Sequence, residues 1–194
     1  MRNILIAVGS GLPGANTDQL ADAFARGARE AGHTVNKIFL GKGELNGCRG
    51  CGACQTGKGC VVQDLMQEAY PLFNACDTLA LASPLYFWTL SGQIKTFFDR
   101  LYAVSREDIY PHKDTVLLMT SGDDGEHTFD HPLDYYQFIT SALGWTDLGS
   151  YLAGGCKGGP GKHTIAEEHL EKAYLLGKTI PEKREPQPEG EDQR

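Results

Sequence analysis

A doubly wound α/β domain on a five-stranded parallel sheet is what this sequence predicts, and two observations carry the prediction. Five short, mostly apolar runs alternate strictly with stretches of helical periodicity between Asn3 and about Lys178, the signature of crossover connections. The first run passes straight into a glycine turn that opens a helix, as a central strand does at its carboxyl end. The 194 residues, 41% hydrophobic and 22% charged, suit one domain with a full-sized core.

Asn3 to Val8 (NILIAV) is a continuous aliphatic run, as expected of a strand buried on both faces. Beyond the turn, Asn16 or Thr17 can cap a helix whose apolar positions are Leu20, Phe24, Ala28 and Ala31, and Gly32 stops it. Thr34 to Leu40 reads as the second strand. A glycine-rich, irregular stretch from Cys48 to Gly59 leads into a helix from about Asp64, which Pro71 is expected to kink or shorten. Thr78 to Ala82 is the third strand, Ser91 to Ala103 a helix, and Thr115 to Thr120 the fourth strand. A helix over 133–143, a strand over 147–153 and a helix over 165–178 complete the count. The arrangement expected is a flavodoxin-like three-layer sandwich with strand order 2-1-3-4-5 and a ligand at the carboxyl ends of the strands. Residues 1–180 form this domain, and the Pro- and Glu-rich segment 181–194 reads as a disordered tail.

The formal charge of −7 argues against a nucleic-acid partner, and the tail contributes to it with five acids against three basic residues. No stretch approaches the roughly 18 unbroken apolar residues of a membrane helix, and residues 1–8 are too short for a signal segment. A cytoplasmic setting is expected. Four of the six cysteines crowd between Cys48 and Cys60, which in such a setting points to metal or redox chemistry before disulfides.

Gly9, Gly11 and Gly14 match G-x-G-x-x-G, yet the second strand ends Phe39-Leu40-Gly41 with no acid before Glu44 to hold a dinucleotide's ribose. What the loop offers is Ser10, Gly14, Asn16 and Thr17 beside the backbone N–H groups of a helix start, a cradle suited to a monophosphate. Simple helix capping by Asn16 and Thr17 is the plainer alternative. The third strand leads into Ser83-Pro84-Leu85-Tyr86-Phe87-Trp88, whose three consecutive aromatics offer a wall for a planar ring or cover for a core edge or an interface.

Gly9-Ser10, Asn16-Thr17, Ser83-Pro84, Tyr86, Ser91-Gly92, Lys95, Phe97 and Asp99-Arg100 together make the chain resemble the NAD(P)H-dependent FMN reductase family. The resemblance extends to about Lys178. It implies that the first loop binds the FMN phosphate, that Pro84, Leu85, Tyr86 and Phe87 contact the isoalloxazine, and that Ser121, Gly122 and Asp123 flank the ring opposite. It further implies a ping-pong reaction in which NAD(P)H reduces the flavin and the flavin reduces an acceptor, with the cofactor supplying the chemistry and no side chain assigned as acid or base. Members commonly form dimers, and the loop from Tyr86 to Trp88 would suit such an interface.

Cys48, Cys51, Cys54 and Cys60 make C-x2-C-x2-C-x5-C among five glycines, a spacing able to wrap a 4Fe-4S cluster. The iron–sulfur flavoproteins, a subgroup of the same family, are similar in carrying a compact four-cysteine motif after the second strand. Unligated or redox-active thiols and a zinc site remain alternatives on spacing alone. His127 and His131 stand four apart without a third ligand and read as solvated. Cys76 and Cys156 read as small buried residues, and Gly154 to Gly161 as a glycine-rich surface turn or an approach to a ligand. The first functional reading is an FMN-dependent NAD(P)H oxidoreductase acting on a flavin, a quinone or a nitro or azo compound. The second is an iron–sulfur flavoprotein carrying electrons between a ferredoxin-like donor and FMN. A non-redox sensor of a phosphate ligand is the third.

Overall fold

A computed structural model describes residues 1–107, 109–159 and 161–183. Strand β1 (Asn3–Val8) lies at its centre, with Ile4 to Val8 fully buried. Its side chains alternate between two cores. Leu5 and Ala7 face one, while Ile4, Ile6 and Val8 face the other, as the two-residue period of a strand dictates. β3 (Thr78–Pro84) and β4 (Asp114–Thr120) divide in the same way, Leu79, Leu81, Leu117 and Met119 against Ala80, Ala82, Val116 and Leu118. β2 (Thr34–Phe39) and β5 (Thr146–Ala153), at the sheet edges, are mostly exposed or half-buried. All pairings among these five strands are parallel and the order is β2-β1-β3-β4-β5, the predicted flavodoxin-like order.

Helices α1 (Asn16–Glu30) and α5 (Glu167–Lys178) cover one face; α2 (Met66–Ala75), α3 (Gly92–Arg100) and α4 (Asp130–Ala142) cover the other. α1 and α5 cross with their backbones nearly touching. A Cβ added at Gly177 would stand 2.1 Å from the Phe24 carbonyl oxygen, and one at Gly27 2.0 Å from that of Tyr174. Neither backbone can yield without spreading the helices. Gly177→Ala is therefore expected to cost about 1–3 kcal/mol, read from a chemical-denaturation midpoint. An unchanged midpoint would show that the crossing has slack.

Three elements depart from expectation. Pro71 sits inside α2 and the helix continues to Ala75, because Pro71 is exposed and the carbonyl it leaves unpaired can be hydrated. α4 begins at Asp130, so Pro132 lies within its first turn, where the missing N–H has no intrahelical partner to lose. The glycine-rich stretch after β5 folds into a small antiparallel hairpin, β6 (Lys157–Gly159) and β7 (Lys162–Thr164). Arg2 donates to the carbonyls of Pro181 and Glu182, and Lys183 pairs with Asp77. Residues 184–194, most of the expected disordered tail, lie outside the described residues.

Candidate functional site

The parallel register brings the ends of β1, β3, β4 and β5 to one edge, and the loops leave it still bonded to their neighbours. Gly9 N–H donates to Ala82 (2.8 Å), Leu85 N–H to Thr120 (2.8 Å) and Ser121 N–H to Ala153 (2.9 Å). Gly9 is required where the first loop passes α3, since a Cβ there would meet Ser91 Oγ at 2.4 Å and Ile94 at 2.5 Å. These loops enclose a cavity of about 610 Å³. Ser10, Asn16, Thr17, Pro84, Leu85, Tyr86, Ser121 and Gly122 all line it; of the predicted set, Gly14, Phe87 and Asp123 do not.

Contrary to the capping expectation, neither Asn16 nor Thr17 caps α1. Ala15 holds the N-cap position and no side chain closes it. The reason is that both side chains are engaged elsewhere: Asn16 Nδ2 donates to the Lys157 carbonyl of the hairpin (2.9 Å), and Thr17 Oγ1 bonds Thr120 Oγ1 (2.6 Å). The first α1 bond is donated by Gln19 to Ala15, so the N–H groups of residues 16–18 have no partner within the helix. Together with the helix dipole they form an anion site. Asp18, in the same turn, shares the charge of Lys37 Nζ (2.8 Å) with Asp22, and its other carboxylate oxygen accepts the Gly14 N–H (2.8 Å). Asn16 Oδ1 is buried and without a hydrogen-bond partner among the described residues.

The hairpin was read from the sequence as a surface turn or a ligand approach, and it stands as a wall of this cavity. Cys156, Gly158, Gly159 and His163 all line it. Its base is held by His169, which bonds the Tyr151 hydroxyl at 2.7 Å and the Gly154 carbonyl at 3.0 Å. On the other side Tyr86 and Thr89 bond each other's backbone at 3.1 Å in both directions, closing a two-residue turn over Phe87 and Trp88. Both turn residues have positive φ, 47° and 57°, a conformation that costs bulky residues energy and that asparagine or glycine normally supplies. The turn drives Phe87 to 91% and Trp88 to 65% exposure. With Leu85, Asp123 and Thr128 they border an adjoining apolar hollow of about 340 Å³.

The four clustered cysteines lie elsewhere, against the end of α3. Cys48, Cys51, Cys54 and Cys60 line a single cavity of about 150 Å³, closed by Val62, Arg100 and Tyr102. Gly50, Gly52, Gly57 and Gly59 all adopt the left-handed conformation that lets so short a loop turn back repeatedly. Among the described residues no group of three or more His, Cys, Asp or Glu side chains gathers around one point, His127 and His131 included. Arg100 and Asp64 form a buried ion pair beside the loop, at 2.8 Å and 3.1 Å through two parallel contacts. Burial pushes the Asp64 carboxyl up, but Arg100 and the N–H groups of Asn46 and Met66 outweigh it and hold it below the ordinary value. Burial also pushes the Cys60 thiol up; the Val62 N–H, the Tyr70 hydroxyl and Arg100 more than offset this and lower it. The Tyr70 hydroxyl, buried beside them, is pushed up to about 12.

A model of the NADPH-dependent FMN reductase family matches residues 1–155. The chain belongs to that family. Among family relatives, an iron-sulfur flavoprotein from Archaeoglobus fulgidus is 29% identical over 171 residues, covering 86% of this chain and 73% of that protein. Another from Methanocaldococcus jannaschii is 28% identical over 179 residues, covering 90% and 93%. The fold of this FMN reductase family member superposes on an NAD(P)H:quinone oxidoreductase from Methanothermobacter marburgensis with a TM-score of 0.75, at 16% identity and covering 95% and 98% of the two chains. An azoreductase from Bacillus anthracis superposes at 0.65, with 21% identity and covering 92% and 99%. At such identities the two superpositions speak for the fold. As a family member the chain is a flavin-dependent oxidoreductase, and none of its described helices is long and apolar enough to cross a membrane.

Proposed function

We propose that the protein is an iron–sulfur flavoprotein that carries FMN in the 610 Å³ cavity and a 4Fe-4S cluster on Cys48, Cys51, Cys54 and Cys60, and passes electrons between a ferredoxin-like donor and FMN. The observation that carries this reading is the spread of four thiols around one small cavity. A cube takes one thiolate at each of four separate corners. A single zinc ion instead draws all its sulfur ligands to about 2.3 Å. The similarity to the archaeal iron-sulfur flavoproteins favours the same choice over the simple reductase.

For FMN, the uncapped N–H groups of residues 16–18 and the hydroxyls of Ser10 and Thr17 hold the phosphate. The unpartnered Asn16 Oδ1 suits a hydroxyl donor, which the ribityl chain provides. Pro84, Leu85 and Tyr86 on one side and Ser121 and Gly122 on the other orient the ring. When bound, FMN supplies hydride and single-electron chemistry and the cluster supplies single-electron exchange. Ser10→Ala combined with Thr17→Ala is expected to weaken FMN binding about 10-fold or more, measured by fluorescence titration; equal affinity would place the phosphate elsewhere.

The NAD(P)H oxidoreductase is the second reading, and the apolar hollow at Phe87 and Trp88 favours it, because a nicotinamide or a planar acceptor can lie on such a shelf. The turn also suits a contact between copies in a homodimer. A cytoplasmic setting accords with the six free cysteines. Anaerobic purification followed by iron and sulfide analysis tests the primary reading, which requires about four irons per chain. Absence of iron at full cysteine reduction would reject it. Mixing with NADH or NADPH tests the second, which fails if neither bleaches bound FMN.

A further inference from the structure

We propose that Arg100 is the positioning residue of the cysteine site, a single buried guanidinium that closes both ends of the loop. The proposal rests on the cluster reading for its redox consequence, while its mechanical part stands on the protein alone.

A guanidinium has five N–H groups, and here each has a partner. Nη1 donates to the Asn46 carbonyl (2.7 Å) and to Asp64 Oδ2 (2.8 Å); Nη2 donates to the Val62 carbonyl (3.3 Å) and to Asp64 Oδ1 (3.1 Å); Nε donates to the Tyr70 hydroxyl (3.3 Å). Asn46 lies two residues before Cys48, and Val62 two residues after Cys60. The two stems of the loop thus meet on one side chain, and Asp64 completes the closure by accepting the Asn46 N–H at 2.9 Å. The group is 2% exposed, so water does not compete for these bonds. Arg100 sits at the last turn of α3, whose other end is capped by Ser91 beneath the first loop, so the staple is anchored to the sheet and not to another loop.

Lysine cannot reproduce this. Its single ammonium has three donors and no fork, and so cannot keep all five of these bonds. Partners of this kind behind metal ligands typically govern metal affinity by about 10–100-fold. The buried positive charge of Arg100, which lines the cysteine cavity, also favours the reduced, more negative cluster.

Arg100→Lys and Tyr70→Phe are compared with the wild-type protein in two states. In the metal-free, reduced, FMN-loaded state, alkylation by iodoacetamide is followed for each cysteine by mass spectrometry. Wild type is expected to protect the half-buried Cys54 relative to the exposed Cys48 and Cys51, and Arg100→Lys to erase that difference. In the reconstituted state, Arg100→Lys is expected to lose iron to a chelator about 10–100-fold faster, and Tyr70→Phe, which removes the acceptor of the Nε–H and the donor to the Arg100 carbonyl, to lose it faster by a smaller factor. Unchanged alkylation and iron release in Arg100→Lys overturn the proposal. If Arg100→Lys does not accumulate as folded protein, Tyr70→Phe decides: unmoved iron release and an unmoved alkylation pattern overturn it. A wild-type chain that takes up no iron rejects the cluster reading, and the alkylation pattern then still decides whether Arg100 closes the loop.

Discussion

Cys51→Ser protein, purified without oxygen, is expected to retain less than about a tenth of the wild-type iron while keeping its FMN. Serine preserves size and removes the thiolate, and a cube held at four corners loses one of its four attachments. Retained flavin makes the result interpretable, because the cysteine cavity and the 610 Å³ cavity have no lining residue in common. Cys51 is exposed and packs against no core residue, so its replacement costs little folding energy. Full iron with Ser at this position would remove Cys51 from the ligand set and with it the proposed cluster.

The largest expected loss of stability belongs to Asp64→Ala, about 3–5 kcal/mol. The Arg100 guanidinium would then stay buried without its countercharge, and the Asn46 and Met66 N–H groups would lose their acceptor. The same pair predicts an acid limb. Because the folded-state value of Asp64 is depressed, its contribution is fully present above the carboxyl value of the unfolded chain and is lost as pH falls through the lower folded value. Denaturant midpoints of the wild type are therefore expected to drop on acidification below about pH 4, and those of Asp64→Ala to drop less. Parallel acid limbs would show that other carboxylates dominate.

The sheet was legible in the sequence because a strand buried on both faces must be apolar at every position, and NILIAV and TVLLMT have no other economical use. The order of strands was expected from the flavodoxin-like pattern of doubly wound sheets. The cavity wall after β5 was not legible in the same way. Gly158, Gly159 and Gly161 carry no side chain to signal a role, and what fixes them in place is a contact from Asn16, distant in sequence, together with the His169 brace. The turn at Phe87 and Trp88 was hidden for the opposite reason, since aromatics normally exclude the positive φ that they adopt here. Asn16 and Thr17 were recognised as site residues, yet whether they served as caps depended on Lys157 and Thr120, partners more than a hundred positions away. The Arg100 staple was hidden in a family motif, where Asp99-Arg100 reads as a helix end until Asn46 and Val62 are seen to converge on it.

The two tryptophans of the chain stand in opposite surroundings. Trp145 is buried at 6% exposure against Phe73, its indole N–H bonded to the Pro111 carbonyl, whereas Trp88 projects from the turn at 65%. Their fluorescence should therefore separate, blue emission from the first and red-shifted emission from the second. Leu85 is shared by the hollow that Trp88 borders and the larger cavity beside it, so a flavin seated there would lie within energy-transfer reach of Trp88. Red-edge emission thus gives the unlabelled protein an internal gauge of how many of its molecules carry the cofactor.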